Sequence, residues 1–299
     1  MKALNNRLLT RAALNRFRAA TLREPACLCF TLMILSVALM AQQPADPFPG
    51  KKKLLAIGDT RTGHQHDSVS HALAIIERLG YESGAYITYI RTDSQLITKA
   101  PIERHDPRTP ELNANINAKN LDYFDAIFFM GTGEGDLTDQ QKKDLLAFVH
   151  DDGKGFIAAH TGDDAFFTWP EFGEMVGGYF DNHPWGVFDA PIIVEDPQFP
   201  AMQAFPRTFT LHDEIYVHKA PYSREKVHVL ARLDASKLDY AAAKDLHRND
   251  KDFPVAWTKM YGKGRVFLST FGHLPETWDN PAIQKMYFEA IKWAMRAKE

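Results

Sequence analysis

Short apolar runs alternate with amphipathic stretches along residues 52–176, at the spacing expected of βαβ units. Lys52–Gly58 and Asp125–Met130 (DAIFFM) are apolar over too few residues for a helix, and Ala85–Ile90 is β-branched and aromatic; each predicts a strand. Ser68–Leu79 carries Val69, Leu73, Ile76 and Leu79 at helical period and stops before Gly80, a predicted C-cap. Leu137–His150 predicts a second helix with Thr138 as N-cap, Gly155–Ala159 a fourth strand and Glu171–Val176 a short helix. Thr92–Lys119, with Pro101, Pro107 and Pro110, predicts a long loop holding one short helix. Strands joined by helices imply a parallel sheet. Beyond Gly178 the pattern turns β-rich, at Ile192–Glu195, Thr208–Leu211 and Val227–Leu233. A hairpin of Pro254–Met260 and Arg265–Thr270 follows, then a closing helix at Ile283–Met295. No internal repeat or second boundary interrupts this order, so residues 54–299 read as one domain.

The first 41 residues stand apart. Arg7, Arg11, Arg16, Arg18 and Arg23 precede the apolar run Ala26–Ala41, and a Pro-rich polar linker at 42–53 follows. A basic stretch, a short apolar core and the small residues Ser36 and Ala38 predict a secretory signal peptide over 1–41. An uncleaved anchor is the alternative, although the run is short of the roughly 20 residues a spanning helix needs. The expected location is periplasmic or secreted, with no stable membrane insertion after processing. Both cysteines, Cys27 and Cys29, fall inside this segment, so the processed chain has no thiolate nucleophile, disulfide or Cys ligand. The whole chain holds 35 Lys and Arg against 38 Asp and Glu; removing 1–41 takes away six cations and one anion, leaving −8. That acidic balance argues against nucleic acid as a partner.

Histidines recur where strands end. His64, His66 and Asp67 follow the first strand, His160 and Thr161 the fourth, and His273 the last. Asn182-His183-Pro184-Trp185 and His212-Asp213-Glu214-Ile215-Tyr216 add carboxylates and aromatic faces, and Trp278 follows His273. Loops at the carboxyl ends of parallel strands converge on one crevice, so these distant imidazoles are expected to meet there. For any one of them, a satisfied structural role is the default reading; joint placement at strand ends is what favours a site. The nucleophile elbow G-x-S-x-G is absent, and so is H-E-x-x-H. A site assembled from distant His and Glu214 suits a divalent metal, Zn or Mn, with neither required by the sequence.

Several segments resemble the ThuA-like (trehalose utilisation) family, relatives of the class I glutamine amidotransferase fold. They are GHQHD at 63–67, FFMGTGEGDLTDQQKKDLLAFV at 128–149 and GFIAAHTGDDAFFTWPEFGEMVGGYFDNHP at 155–184. DEIYV at 213–217 and the stretch from PVAWTKMYGKGRVFLSTFGH to WDNPAI at 254–283 complete the set. The resemblance implies a flavodoxin-like, three-layer α/β/α domain with a mainly parallel central sheet and β-rich C-terminal additions. It also implies a place in carbohydrate catabolism, on glycosides or their 3-keto derivatives. Glutamine amidotransferases carry a nucleophilic Cys near the position of His160-Thr161, so glutaminase chemistry is excluded here. His273 and Glu276 resemble the His and Glu of that triad, with spacing one residue longer.

The expectation is therefore an enzyme, a lyase, hydratase or hydrolase of a glycoside or keto-sugar, using His and carboxylate acid–base chemistry. His66 or His160 is the expected base, Asp213 or Glu214 its partner, with His273 and His183 as donors or metal ligands. His64, Asp67, Thr161, His183, Trp185, Tyr216 and Trp278 are the expected substrate-binding residues, the three aromatics forming a ring platform. A non-catalytic sugar-binding protein and a metal-dependent hydrolase are the alternatives. The partner is a small carbohydrate, and a homo-oligomer is left open.

Overall fold

The computed structural model describes residues 46–102, 108 and 119–297. The segment read as a signal peptide, residues 1–41, and most of the long loop, with its expected short helix, lie outside the described residues. Nine strands form one sheet. Its first half comprises β1 (Lys52–Ile57), β2 (Tyr86–Arg91), β3 (Ala126–Phe129), β4 (Gly155–Ala159) and β11 (Gly264–Ser269). They lie in the order β2-β1-β3-β4-β11, every neighbouring pair parallel. This is the flavodoxin-like order 2-1-3-4-5.

The tight turn after β10 (Pro254–Tyr261) makes β10 antiparallel to β11, and the direction alternates from there. β9 (His228–Leu233), β6 (Val187–Val194) and β7 (Thr208–Glu214) follow outward, all antiparallel. The β-rich C-terminal part thus extends the parallel sheet rather than forming a layer of its own. β5 (Tyr179–Asn182) and β8 (Val217–Lys219) make a separate two-stranded pair.

Buried on both faces, the parallel strands send alternate residues to two cores. Leu54 and Ala56 of β1 join one core with α1 (Ser68–Ser83) and α5 (Pro281–Ala294). Leu55 and Ile57 join the other with α2 (Asp139–His150) and α3 (Pro170–Val176). That is the three-layer arrangement, with α4 (Pro275–Asp279) between β11 and α5. Thr138 starts α2 through a capping box with Gln141, as its position predicts. α1 runs past the predicted stop: Gly80 is inside the helix, and Gly84, in the left-handed region at φ +66°, caps it. The reason is packing. A Cβ at Gly80 would lie 2.3 Å from the Tyr86 ring, so this glycine lets the helix press against β2.

Candidate metal centre at the strand ends

The imidazoles expected at strand ends do meet. The His66 ring centroid lies 5.0 Å from that of His160 and 5.1 Å from that of His273, and His160 and His273 are 5.2 Å apart. Glu214, at the end of β7, completes the set: its Oε2 is 3.1 Å from His273 Nδ1 and 3.8 Å from His160 Nε2. One potential ligand atom from each of His66, His160, Glu214 and His273 fits within 4.8 Å of all the others. Ligands about 2.1 Å from a tetrahedral metal are roughly 3.4 Å from each other, which is the scale of these separations.

Each side chain is placed by a different local device. β4 ends at Ala159, and His160 opens a one-turn 3-10 helix, His160–Asp163. Its φ of +44° lies in the left-handed region, which a side chain with a Cβ seldom occupies. The ring is fully buried, and Nδ1 is 2.7 Å from the carbonyl of Thr270. A carbonyl only accepts, so Nδ1 carries the hydrogen and Nε2 turns its lone pair toward His273, 3.2 Å away. This is the carbonyl-anchored geometry in which metal-binding histidines are held. His273 follows Gly272, whose φ of +125° suits glycine alone. The Gly272 carbonyl accepts from Ser68 Oγ at 2.8 Å and from the Trp278 indole N–H at 3.0 Å. His66 is half-buried, its Nε2 3.5 Å from the Tyr216 hydroxyl, while its Nδ1 is shielded and has no hydrogen-bond partner. A buried ring nitrogen without a partner fits a missing ligand, and the donor set of three imidazoles and a carboxylate fits a divalent metal.

The electrostatics divide the cluster. Burial, then the nearby His273 and His64, push His66 down to about 4. Burial and His66 hold the enclosed His160 well below the usual histidine range. Both are therefore neutral, with lone pairs available, at neutral pH. His273 is raised, first by its hydrogen bond to Glu214. Burial alone would raise Glu214, but the His273 hydrogen bond and the charges of His273, His183 and His66 outweigh it and hold the carboxylate low. Beside the cluster, Asp164 is pushed up to about 7 by burial and by Asp163, which leaves it part-protonated near neutrality.

These shifts tie stability to pH, in both directions. Histidines depressed in the folded state bind protons more readily once unfolded, so stability falls as pH drops from the unfolded value of about 6.5 toward the folded one. Glu214, depressed in the same way, adds to the loss below its own unfolded value. His273, Asp164 and Asp213 have the opposite sign: their contribution is complete at low pH and is lost as pH rises through their raised values. Because these terms oppose one another, the test is a difference: between pH 7 and 4 the thermal midpoint of the wild-type protein is expected to lose more, or gain less, than that of His66→Gln, measured by circular dichroism. Equal slopes in the two proteins would show that His66 is not held neutral.

The remaining expected residues separate. His64 is exposed, with its ring 4.7 Å from His66, and His183 sits on the rim with Nδ1 3.5 Å from Glu214 Oε1. Asp67 is exposed at the start of α1 and makes no capping bond; Thr161 is buried and its hydroxyl has no hydrogen-bond partner. Asp213 does not serve the pocket as a catalytic partner. Strand alternation turns it opposite to Glu214, and its oxygens accept the N–H groups of Gly272 at 2.7 Å and Leu274 at 3.1 Å. It is fully buried and pushed up to about 6 by that burial, and it braces the loop that carries His273.

His212 faces outward and pairs with Asp189 at 2.7 Å. Glu276 is exposed, and the carboxylate beside His273 is Glu214, so the triad likeness ends there. The ring platform also dissolves. Trp278 is fully buried and stacks on Tyr287 at 4.7 Å, and Tyr216 is covered by His160 and Phe180 at 4.4 and 4.3 Å. Trp185 is the exception: it lines a cavity of about 330 Å³ with Phe188, Pro191 and Leu238.

A buried partner of the site was missed from the sequence: His218 in β8, wholly enclosed, with Nε2 3.0 Å from Asp163 Oδ2. Its signal was the spacing Glu214, Tyr216, His218, which alternation along an extended chain places on one side.

A flavodoxin-like α/β domain with a histidine-rich crevice at its strand ends defines the class. The family model described as ThuA, trehalose utilisation, matches residues 53–294, and the chain belongs to that family. A putative ThuA-like protein from Bacteroides uniformis is 20% identical at a TM-score of 0.60, covering 84% of this chain and 94% of its own. A putative ThuA-like protein from Parabacteroides merdae is 15% identical at 0.58, with coverage of 82% and 90%. A protein of Salmonella typhimurium LT2 described as cytoplasmic is 13% identical at 0.50, covering 82% of this chain and all of its own. No curated protein matches the chain. The family gives the chain a carbohydrate-related role.

Proposed function

We propose that the His66–His160–Glu214–His273 cluster binds a divalent metal, zinc or manganese, and acts on a glycoside or 3-keto-glycoside. The observation that supports this best is the convergence of four potential ligand atoms within 4.8 Å from four separate segments. A bound metal supplies Lewis acidity, which polarises a carbonyl or lowers the pKa of a water. The chain's own groups do the rest. Neutral His66 and His160 offer lone pairs, and Thr270 fixes the orientation of His160. The rim residues His64 and His183 would hydrogen-bond sugar hydroxyls, and Asp164, near half-protonation at neutral pH, would give or take a proton. A C–H beside a ketone is acidic enough for such groups to remove, which makes β-elimination or hydration of a keto-glycoside feasible without a nucleophile.

One observation favours a second reading, a metal-free acid–base pair: His273 and Glu214 already satisfy one another at 3.1 Å. With residues 1–41 as an export signal, either chemistry would take place outside the cytoplasm.

Metal analysis of the purified protein, with a screen of native and 3-keto disaccharides before and after chelation, decides between these. About one bound metal per chain is expected, with turnover lost on chelation and restored by that metal. Undiminished turnover by a metal-free protein would establish the second reading. Sugar binding without turnover under every condition would make the protein a non-catalytic binder.

A further inference from the structure

We propose that the buried Asp163–His218 pair is a positioning clamp that fixes the His160 imidazole, and with it the geometry of the cluster. The inference rests on reading that cluster as the reactive centre. Three observations carry it.

The first is strain. His160 holds a positive φ on a fully buried, one-turn helix, and such a conformation persists only where its surroundings over-determine it. Thr270 holds the ring from one side, and Asp164 N–H bonds the Thr161 carbonyl within the turn. Asp163 ends the same turn, so whatever fixes Asp163 fixes the backbone that His160 departs from.

The second is the pair itself. Both side chains are wholly enclosed, and His218 Nε2 stands 3.0 Å from Asp163 Oδ2, a charge-pairing distance whose angle does not make a hydrogen bond. Neither carboxylate oxygen nor either ring nitrogen has any hydrogen-bond partner, so each is the other's nearest opposite group. Burying two ionisable groups this way is costly unless they hold one another, and apolar residues would fill the space at less cost. The Trp257 indole stands nearly perpendicular to the His218 ring, 4.6 Å between centroids, on that side.

The third is connectivity. Glu214, Tyr216 and His218 leave one short stretch of chain on alternate positions, and all three reach the His160 turn. Glu214 faces His160 Nε2, Tyr216 lies 4.4 Å from the His160 ring, and His218 meets Asp163. Asp213, turned the other way, holds the Gly272 and Leu274 amides beside His273. Four side chains of the stretch 213–218 thus brace two of the three segments that supply imidazoles, those of His160 and His273, and His218 is the end of that brace.

The test compares His218→Leu, which removes the donor and keeps the volume, with His218→Gln, which keeps an amide donor. Two readouts apply. Proton–nitrogen NMR follows the His160 Nδ1–H, assigned by its absence in His160→Gln, and cobalt titration follows the cluster. Wild-type protein is expected to show a slowly exchanging Nδ1–H. In His218→Leu that proton is expected to exchange at least 10-fold faster and cobalt affinity to fall 10- to 100-fold, as for other outer partners of metal ligands. His218→Gln is expected to restore most of both. If His218→Leu does not fold, Asp163→Asn, close in shape and lacking the charge, is read the same way. A folded variant with an unchanged His160 proton overturns the clamp. A wild-type protein that takes up no cobalt ends the metal reading instead, and the NMR comparison alone then judges the clamp.

Discussion

Glu214→Gln is expected to weaken metal binding by on the order of 10³-fold, with turnover falling in parallel and the fold retained. Glutamine matches glutamate in size and still presents an oxygen, so packing at the end of β7 is preserved. What it lacks is the charge that three imidazoles share. Glu214 stands 3.1 Å from His273, 3.5 Å from His183 and 3.8 Å from His160, and it is nearly buried. No other carboxylate among the described residues comes this close to the cluster. A neutral amide there leaves a divalent ion with three imidazoles and no anionic ligand, and it removes the charged partner that raises His273. Titration calorimetry with zinc and manganese, beside far-ultraviolet circular dichroism, measures both effects. A folded Glu214→Gln with wild-type affinity would mean that the carboxylate only organises histidines and ligates nothing.

Which half of this site can be read from residues alone follows from the range of the forces involved. The parallel strands are legible because burial on both faces makes them continuously apolar, and strand ends then locate His66, His160 and His273 without coordinates. Choosing Glu214 over Asp213 is different. Adjacent carboxylates on a strand face opposite sides, and only the register of β7 against β6, with Glu214 opposite Val187, says which side is the crevice.

His218 leaves only a faint signal for a related reason. β8 is three residues long, and its histidine is buried by Asp163, 55 positions earlier in the chain. The hairpin was legible as a hairpin, but not its consequence. A tight turn makes β10 antiparallel to β11, and β9, β6 and β7 each run antiparallel to the strand before them in the sheet, so the β-rich part continues the same sheet. A tryptophan beside polar residues, Glu276-Thr277-Trp278-Asp279, resembled an exposed ring; the one-turn helix that turns it inward has too few residues to leave a period.

That inward turn gives Trp278 a different expected phenotype from Trp185, although both began as sugar platforms. Trp278→Ala is expected to cost about 3–5 kcal/mol, because the ring is fully buried against Tyr287 and Phe128 and little around it can collapse. In a domain of this size such a loss lowers the thermal midpoint by roughly 10 °C. Its indole also donates to the Gly272 carbonyl, one residue before His273, so Trp278→Phe should cost about 1 kcal/mol through that hydrogen bond alone. Trp185 is only half-buried, in a surface cavity, and Trp185→Ala is expected to leave the midpoint within a few degrees of wild type. Any effect it has should appear in sugar affinity, since His183, two residues before it, faces Glu214. Differential scanning calorimetry with sugar titration separates the two tryptophans. Should Trp278→Ala melt like wild type while losing sugar affinity, the indole meets substrate after all, and the helix that buries it must open.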